Sequence, residues 1–139
     1  MKFIKFLIIF FFIVFDTGKL LASNILVNEL KLGGKIIFIR HAYAPGNGDP
    51  DNFSINDCST QRNLNNDGIE QSKNIGLFFR KNQIPIDKIL SSEWCRCKDT
   101  AFYAFKNFQI SPFLNSFYDE KFRHNKEKQV REIKVFIKN

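Results

Sequence analysis

Arg40 and His41 close the run "KIIFIRHAYAP", and a cation beside an imidazole is a pair with chemistry in it. An arginine holds a phosphoryl group through two parallel N–H bonds, and a neutral imidazole attacks phosphorus. A second arginine, Arg96 in "LSSEWCRCKDTA", falls in the expected first turn of a helix, where backbone amides also favour anions. A lone Arg-His pair is weak, because a histidine at a strand end is commonly just hydrogen-bonded. Two such ends converging on one anion are more telling.

The elements that must position these residues can be read from the pattern. Residues 35–39, "KIIFI", have strand length and are apolar on both faces, as in an interior strand of a parallel sheet. Ligands of open α/β sheets bind beyond the carboxyl ends of strands, which is where Arg40 and His41 stand. A long polar loop rich in turn residues follows over about 44–64, and loops of that length are functional or disordered. Asp49 and Asp51 lie in it, but without the glycine and distal glutamate of a calcium loop.

"NNDGIEQSKNIGLFFRKN" places Ile69, Ser72, Ile75, Gly76 and Phe79 on one helical face, with Asn65 as N-cap. "IPIDKILSS" reads as a turn and a second strand. A further helix, starting near Ser92 as its N-cap, carries Trp94, Cys97, Ala101, Ala104, Phe105 and Phe108 at helical spacing. No third apolar strand is expected after it. The tail from Asp119 onward is charged and helical, with Phe122, Val130, Ile133 and Ile137 as its apolar side. Strand, helix, strand, helix is the alternation of an α/β domain.

The ends and the composition set the context. At 139 residues the chain is the size of one domain, and its 44% apolar share argues for a packed globule. Residues 1–22 have two early lysines, an apolar run over 6–15 and a small residue at Ala22, the layout of a cleaved signal peptide. The run is half of the roughly 20 residues that cross a bilayer, so no stable membrane span is expected after cleavage. The expected location is therefore exported and periplasmic, or membrane-tethered if cleavage fails, with residues 23–139 as the mature domain. The formal net charge of +7 favours anionic partners. Glutamates interleave the basic tail and exposed aromatics do not cluster, so nucleic acid is not the expected partner. In an oxidising compartment Cys58, Cys95 and Cys97 would pair. On a helix Cys95 and Cys97 lie about 200° apart, which leaves Cys58 to bridge one of them and the third thiol free. No second cluster of metal-ligating residues supports zinc or another metal.

"FIRHA", "QRNLNNDG" and "LSSEWCRCKDTA", in that order over about residues 35–108, resemble the histidine phosphatase superfamily, the phosphoglycerate-mutase-like fold. Alanine at position 42, "APGNGDP" and the three cysteines resemble its exported bacterial members. The resemblance implies a three-layer α/β/α domain with a mostly parallel sheet. It implies hydrolysis of a phosphorylated small molecule through a phosphohistidine on His41, with Arg40 and Arg96 clamping the phosphoryl oxygens and no cofactor. Arg62 matches an arginine common before the first helix, in substrate contact or in a salt bridge. Ser91 and Ser92 match strand-end serines that cap locally. The family's second pocket histidine, carried by a later strand, has no match, so the resemblance implies a domain incomplete at its C-terminus. His124, the other histidine, reads as a surface residue, and Asp119 and Glu120 as helix-dipole partners rather than the general acid.

Overall fold

A computed structural model describes residues 24–138. The expected signal peptide over 1–22 lies outside the described residues. The described residues divide into two compact units: residues 24–35 with 82–85, and residues 36–81 with 86–138. In the first, helix α1 covers 24–31 and buries Val27, while Ile84 is buried on the returning segment.

The second unit carries every candidate site residue named above. Helix α2, Asn66–Lys81, begins where Asn65 Oδ1 accepts the Gly68 amide at 2.9 Å, as its sequence predicts. Its buried face is Gly68, Ser72, Gly76 and Phe79. Ser72 satisfies its hydroxyl internally by donating to Gly68 O at 2.8 Å. Strand β1, Leu90–Ser91, leads to helix α3, Cys95–Phe105. Trp94, not Ser92, occupies the N-cap, and its side chain caps nothing. Ser92 is buried instead beside the strand end.

Helix α3 stops one turn earlier than its apolar spacing predicts. Lys106 takes a left-handed φ of 70° and its amide returns to Phe102 O, which releases Phe108 from the helix. The freed residues form strand β2, Gln109–Ile110, parallel to β1 with Leu90 opposite Gln109. The architecture is thus α/β: helices with a small two-stranded parallel sheet joined by a helical crossover. After 3-10 turns at Pro112–Leu114 and Glu120–Asn125, helix α4 spans Lys126–Lys138.

Helices α2 and α3 pack on each other through small residues. A Cβ on Gly76 would stand 1.9 Å from Ala104 O, so only glycine allows this approach. Phe79 meets Phe105 edge to face at 5.3 Å.

Residues 35–39 correct the expectation of an interior strand. They are extended, but the only ladder among the described residues joins β1 to β2. Phe38 is 66% exposed and Ile36, Ile37 and Ile39 nearly half exposed. A parallel strand is held by neighbours on both edges and cover on both faces, and this segment has neither. None of the described helices is long and apolar enough to cross a membrane.

Candidate functional site

The backbone carrying His41 is fixed by both helices. Ala42 N donates to Thr100 Oγ1 on α3 at 2.9 Å, and Tyr43 N donates to Gln71 Oε1 on α2 at 2.8 Å. Thr100 is held in turn by donating to Arg96 O at 2.7 Å. Ala42 and Ala44 are buried, so small side chains are needed where the segment crosses the helices. At Gly68 an added Cβ would meet Tyr43 O at 2.0 Å, which makes the first turn of α2 part of the same seat. Segment 42–44 therefore has a firm anchorage that segment 35–39 lacks.

His41 itself is half-buried, with Nδ1 2.7 Å from Ala42 O. A carbonyl only accepts, so Nδ1 is the donor, and in the neutral ring this leaves the lone pair on Nε2. Burial pushes the imidazole pKa below the usual 6.5. The bond to Ala42 opposes this, while the positive charges of Arg96, Arg62 and Arg40 all reinforce it. The three arginines singled out from the sequence thus act together on His41, adding to burial in favouring the neutral form that a nucleophile requires.

Arg96 is only 7% exposed and already has a carboxylate. Its Nη1 and Nη2 donate to Asp49 Oδ1 and Oδ2 at 2.6 and 3.1 Å, a two-pronged ion pair. Asp49 also accepts from the Arg62 amide at 3.0 Å and the Trp94 indole at 3.0 Å. Burial works against the charge on Asp49, but the bonds from Arg96, Arg62 and Trp94 outweigh it and hold the carboxyl below its ordinary range. Arg96 Nη1 reaches Arg62 O as well, at 3.3 Å, whereas its buried Nε has no acceptor.

Arg62 clamps the loop. Its Nε donates to Gly48 O at 2.8 Å and its Nη1 to Ala44 O. Gly46 and Gly48 take φ of 88° and 67°, a left-handed conformation that suits glycine. Burial, then the charge of Arg96, lowers the Arg62 pKa against the pull of Asp49. Of the two roles open for this arginine, the geometry displays a structural one, through backbone carbonyls rather than a salt bridge.

A disulfide joins Cys58 to Cys95 across 37 residues, tying the loop to the start of α3. Cys97 is the free thiol. Its pKa is raised, by burial first, against a hydrogen bond with Ser92 and the charge of Arg96, so it is a protonated thiol and a poor nucleophile. Gln61 completes the seam. Its Nε2 donates to Ser54 O and Ile55 O at 2.9 and 3.1 Å, and its Oε1 accepts the Cys95 amide at 2.9 Å.

Arg40 is exposed, and its charge acts on His41 and Arg62. His124 lies exposed on the Glu120–Asn125 turn. Asp119 caps that turn by accepting the Lys121 amide at 3.1 Å, and Glu120 pairs with Arg123 at 2.9 Å, so both have local partners. Ser91 donates to Ser92 O at 3.0 Å, a contact with its neighbour that caps no helix. No group of His, Cys, Asp and Glu suited to a metal occurs among the described residues.

Sequence reading passed over Asp49, Thr100, Gln71 and Gln61. For Asp49 the available signal was a second acid in a loop next to a buried cation, considered only for calcium. The other three are polar residues on or beside apolar faces, a pattern that marks a hydrogen bond to backbone without saying to which.

No protein-family model, curated protein or solved structure matches this chain.

Proposed function

We propose that the chain binds a phosphate monoester at His41 and hydrolyses it through a phosphohistidine, as a member of the histidine phosphatase superfamily whose three-layer α/β/α domain it represents in part. The observation that carries the reading is the state of His41. Its Nδ1 lies 2.7 Å from the Ala42 carbonyl, which directs Nε2 away as the free nitrogen of the neutral ring, and burial with the charges of Arg96, Arg62 and Arg40 lowers its pKa.

In this mechanism Nε2 attacks phosphorus in line with the ester oxygen. An N–P bond forms as the P–O bond breaks, and the leaving alkoxide takes a proton from solvent. Nδ1–H stays on Ala42 O throughout and carries part of the charge that develops on the ring. Water then attacks phosphorus, the N–P bond breaks, and inorganic phosphate leaves with the imidazole neutral again. Arg40, exposed and beside His41, offers its guanidinium to the phosphoryl oxygens. Arg96 contributes its charge, and a phosphoryl group reaching its guanidinium competes with Asp49. On this reading the mature chain works in the periplasm on a phosphorylated small molecule, with no part for nucleic acid.

Turnover of an aryl phosphate by the full chain tests this, with His41→Ala as control. Phosphate release that survives His41→Ala removes His41 from the mechanism.

The Asp49 pair favours a second reading, a non-catalytic anion-binding module. A guanidinium already filled by an internal carboxylate stabilises the fold without serving turnover. This reading predicts a rise in melting temperature with inorganic phosphate, lost in Arg40→Ala, and no hydrolysis.

A further inference from the structure

An imidazole that works as a nucleophile or base is commonly oriented by a partner on its other nitrogen, a carboxylate or a backbone carbonyl. Among the described residues no carboxylate pairs with His41; its partner is the Ala42 carbonyl, 2.7 Å from Nδ1. Whatever holds that carbonyl therefore bears on which nitrogen carries the proton. The Ala42 carbonyl and the Tyr43 amide belong to one planar peptide unit and point in opposite directions across it. Tyr43 N donates to Gln71 Oε1 at 2.8 Å, so Gln71 on α2 fixes the unit that faces His41. Donation from its N–H also polarises the unit and strengthens its carbonyl as an acceptor.

The preceding peptide unit is held from the other helix. Ala42 N donates to Thr100 Oγ1 at 2.9 Å, and the Thr100 hydroxyl gives its own proton to Arg96 O at 2.7 Å, which leaves a lone pair facing Ala42. Ala42 and Thr100 are both buried, so water is a poor substitute for the hydroxyl. Two consecutive peptide planes are thus clamped by two helices, and rotation of either one carries the Ala42 carbonyl off Nδ1.

We propose that Gln71 and Thr100 are positioning residues that set the tautomer of His41, directing its proton to Nδ1 and leaving Nε2 as the reactive nitrogen. Neither bonds to the ring; each acts through the peptide unit it holds. A neutral imidazole carries its proton on either nitrogen, and the acceptor at Nδ1 selects between them. Without these two bonds the Ala42 carbonyl is free to turn, and the ring divides between both forms. The role rests on His41 as the working group of the proposed function, but it is read at the ring rather than in phosphate release. A chain that hydrolyses nothing therefore still tests it, and its failure leaves the hydrolysis reading to its own test.

The measurement is the tautomer ratio of His41, from long-range proton–nitrogen NMR correlations on the full chain carrying His124→Gln, at alkaline pH where the ring is neutral. Nδ1–H is expected to dominate with Gln71 and Thr100 in place. Thr100→Val keeps the branched shape without the hydroxyl and should move the ratio about fivefold toward Nε2–H, the size of one net hydrogen bond. Thr100→Ser keeps the hydroxyl and should hold the original ratio. Gln71 is exposed, so water replaces part of the lost acceptor in Gln71→Ala, and the ratio should move about twofold in the same direction. Gly76→Ala separates positioning from stability alone: it crowds the α2–α3 contact without touching either bond, so it should lower the melting temperature and leave the ring as it was. A ratio unchanged in both Thr100→Val and Gln71→Ala, one moved as far by Gly76→Ala, or Thr100→Ser behaving as Thr100→Val would overturn the proposal. If Thr100→Val does not fold, an unchanged ratio in Gln71→Ala overturns it alone.

Discussion

Two stretches on either side of His41 are built on opposite plans. Residues 44–64 are polar and rich in glycine, asparagine and aspartate, yet they are tied down at many points: by the Cys58–Cys95 bridge, by Arg62 on Gly48 and Ala44, by Gln61, and by Asp49 on Arg96. Residues 35–39 are apolar and have a sequence well suited to a strand, yet they lack a ladder and expose every side chain. The difference lies in what each needs. The loop satisfies most of its polar groups with side chains and carbonyls from its own span and the start of α3, Asn63 Oδ1 excepted. A parallel strand has no local partners, and apolar composition alone supplies no hydrogen bond.

The contrast is tested first at the bridge. Replacing Cys58 and Cys95 together by alanine should cost about 4 kcal/mol, from the unfolded-chain entropy of a loop of this length. Denaturant unfolding of the oxidised protein and of the double variant measures it. A loss below about 1 kcal/mol would mean that the polar network alone holds the loop.

The buried ion pair comes next. Asp49→Asn leaves Arg96 charged and uncompensated, which typically costs about 3 kcal/mol. The Asp49→Asn/Arg96→Gln double variant should recover part of that loss. Acid acts on the same pair. The Asp49 pKa is depressed in the folded chain, so its contribution is complete above the unfolded carboxyl value and falls away as pH drops through the folded one. Unfolding midpoints measured from neutral to strongly acidic pH should decline more steeply for the native sequence than for the double variant.

At Gly76 an alanine methyl has no room against the Ala104 carbonyl. Gly76→Ala should destabilise by about 1–3 kcal/mol through overpacking, read from the shift in thermal midpoint. The smallest effect belongs to the other stretch. Phe38→Ser should change stability by no more than about 0.5 kcal/mol, because the side chain is exposed, while improving solubility. A loss of several kcal/mol there would show that residues 35–39 are buried after all and would dissolve the comparison.

Local signals in the sequence carried far. The Asn65 cap, the face of α2 that buries Ser72, Gly76 and Phe79, and the pairing of Cys58 with a cysteine of α3 all depend on neighbours a few residues away or on spacing around one axis. Strand β2 escaped because it has only two residues, Gln109 and Ile110, and because α3 ends on Lys106 with no glycine or proline to announce it. The Asp49–Arg96 pair escaped for another reason: the partners are 47 residues apart, and no periodicity links a loop aspartate to a helical arginine. His41, Arg40, Arg62 and Arg96 were each visible as residues, but not that Asp49 would already occupy the guanidinium of Arg96.

The account rests on a neutral His41 with its proton on Nδ1. Long-range proton–nitrogen NMR correlations of the imidazoles test this most directly, with His124→Gln leaving His41 as the only ring observed. The predicted spectrum near neutral pH is that of the Nδ1–H tautomer, with a titration midpoint below the usual histidine value of 6.5. A cationic ring at neutral pH, or a proton on Nε2, would contradict it and would withdraw the nucleophile from the proposed reaction.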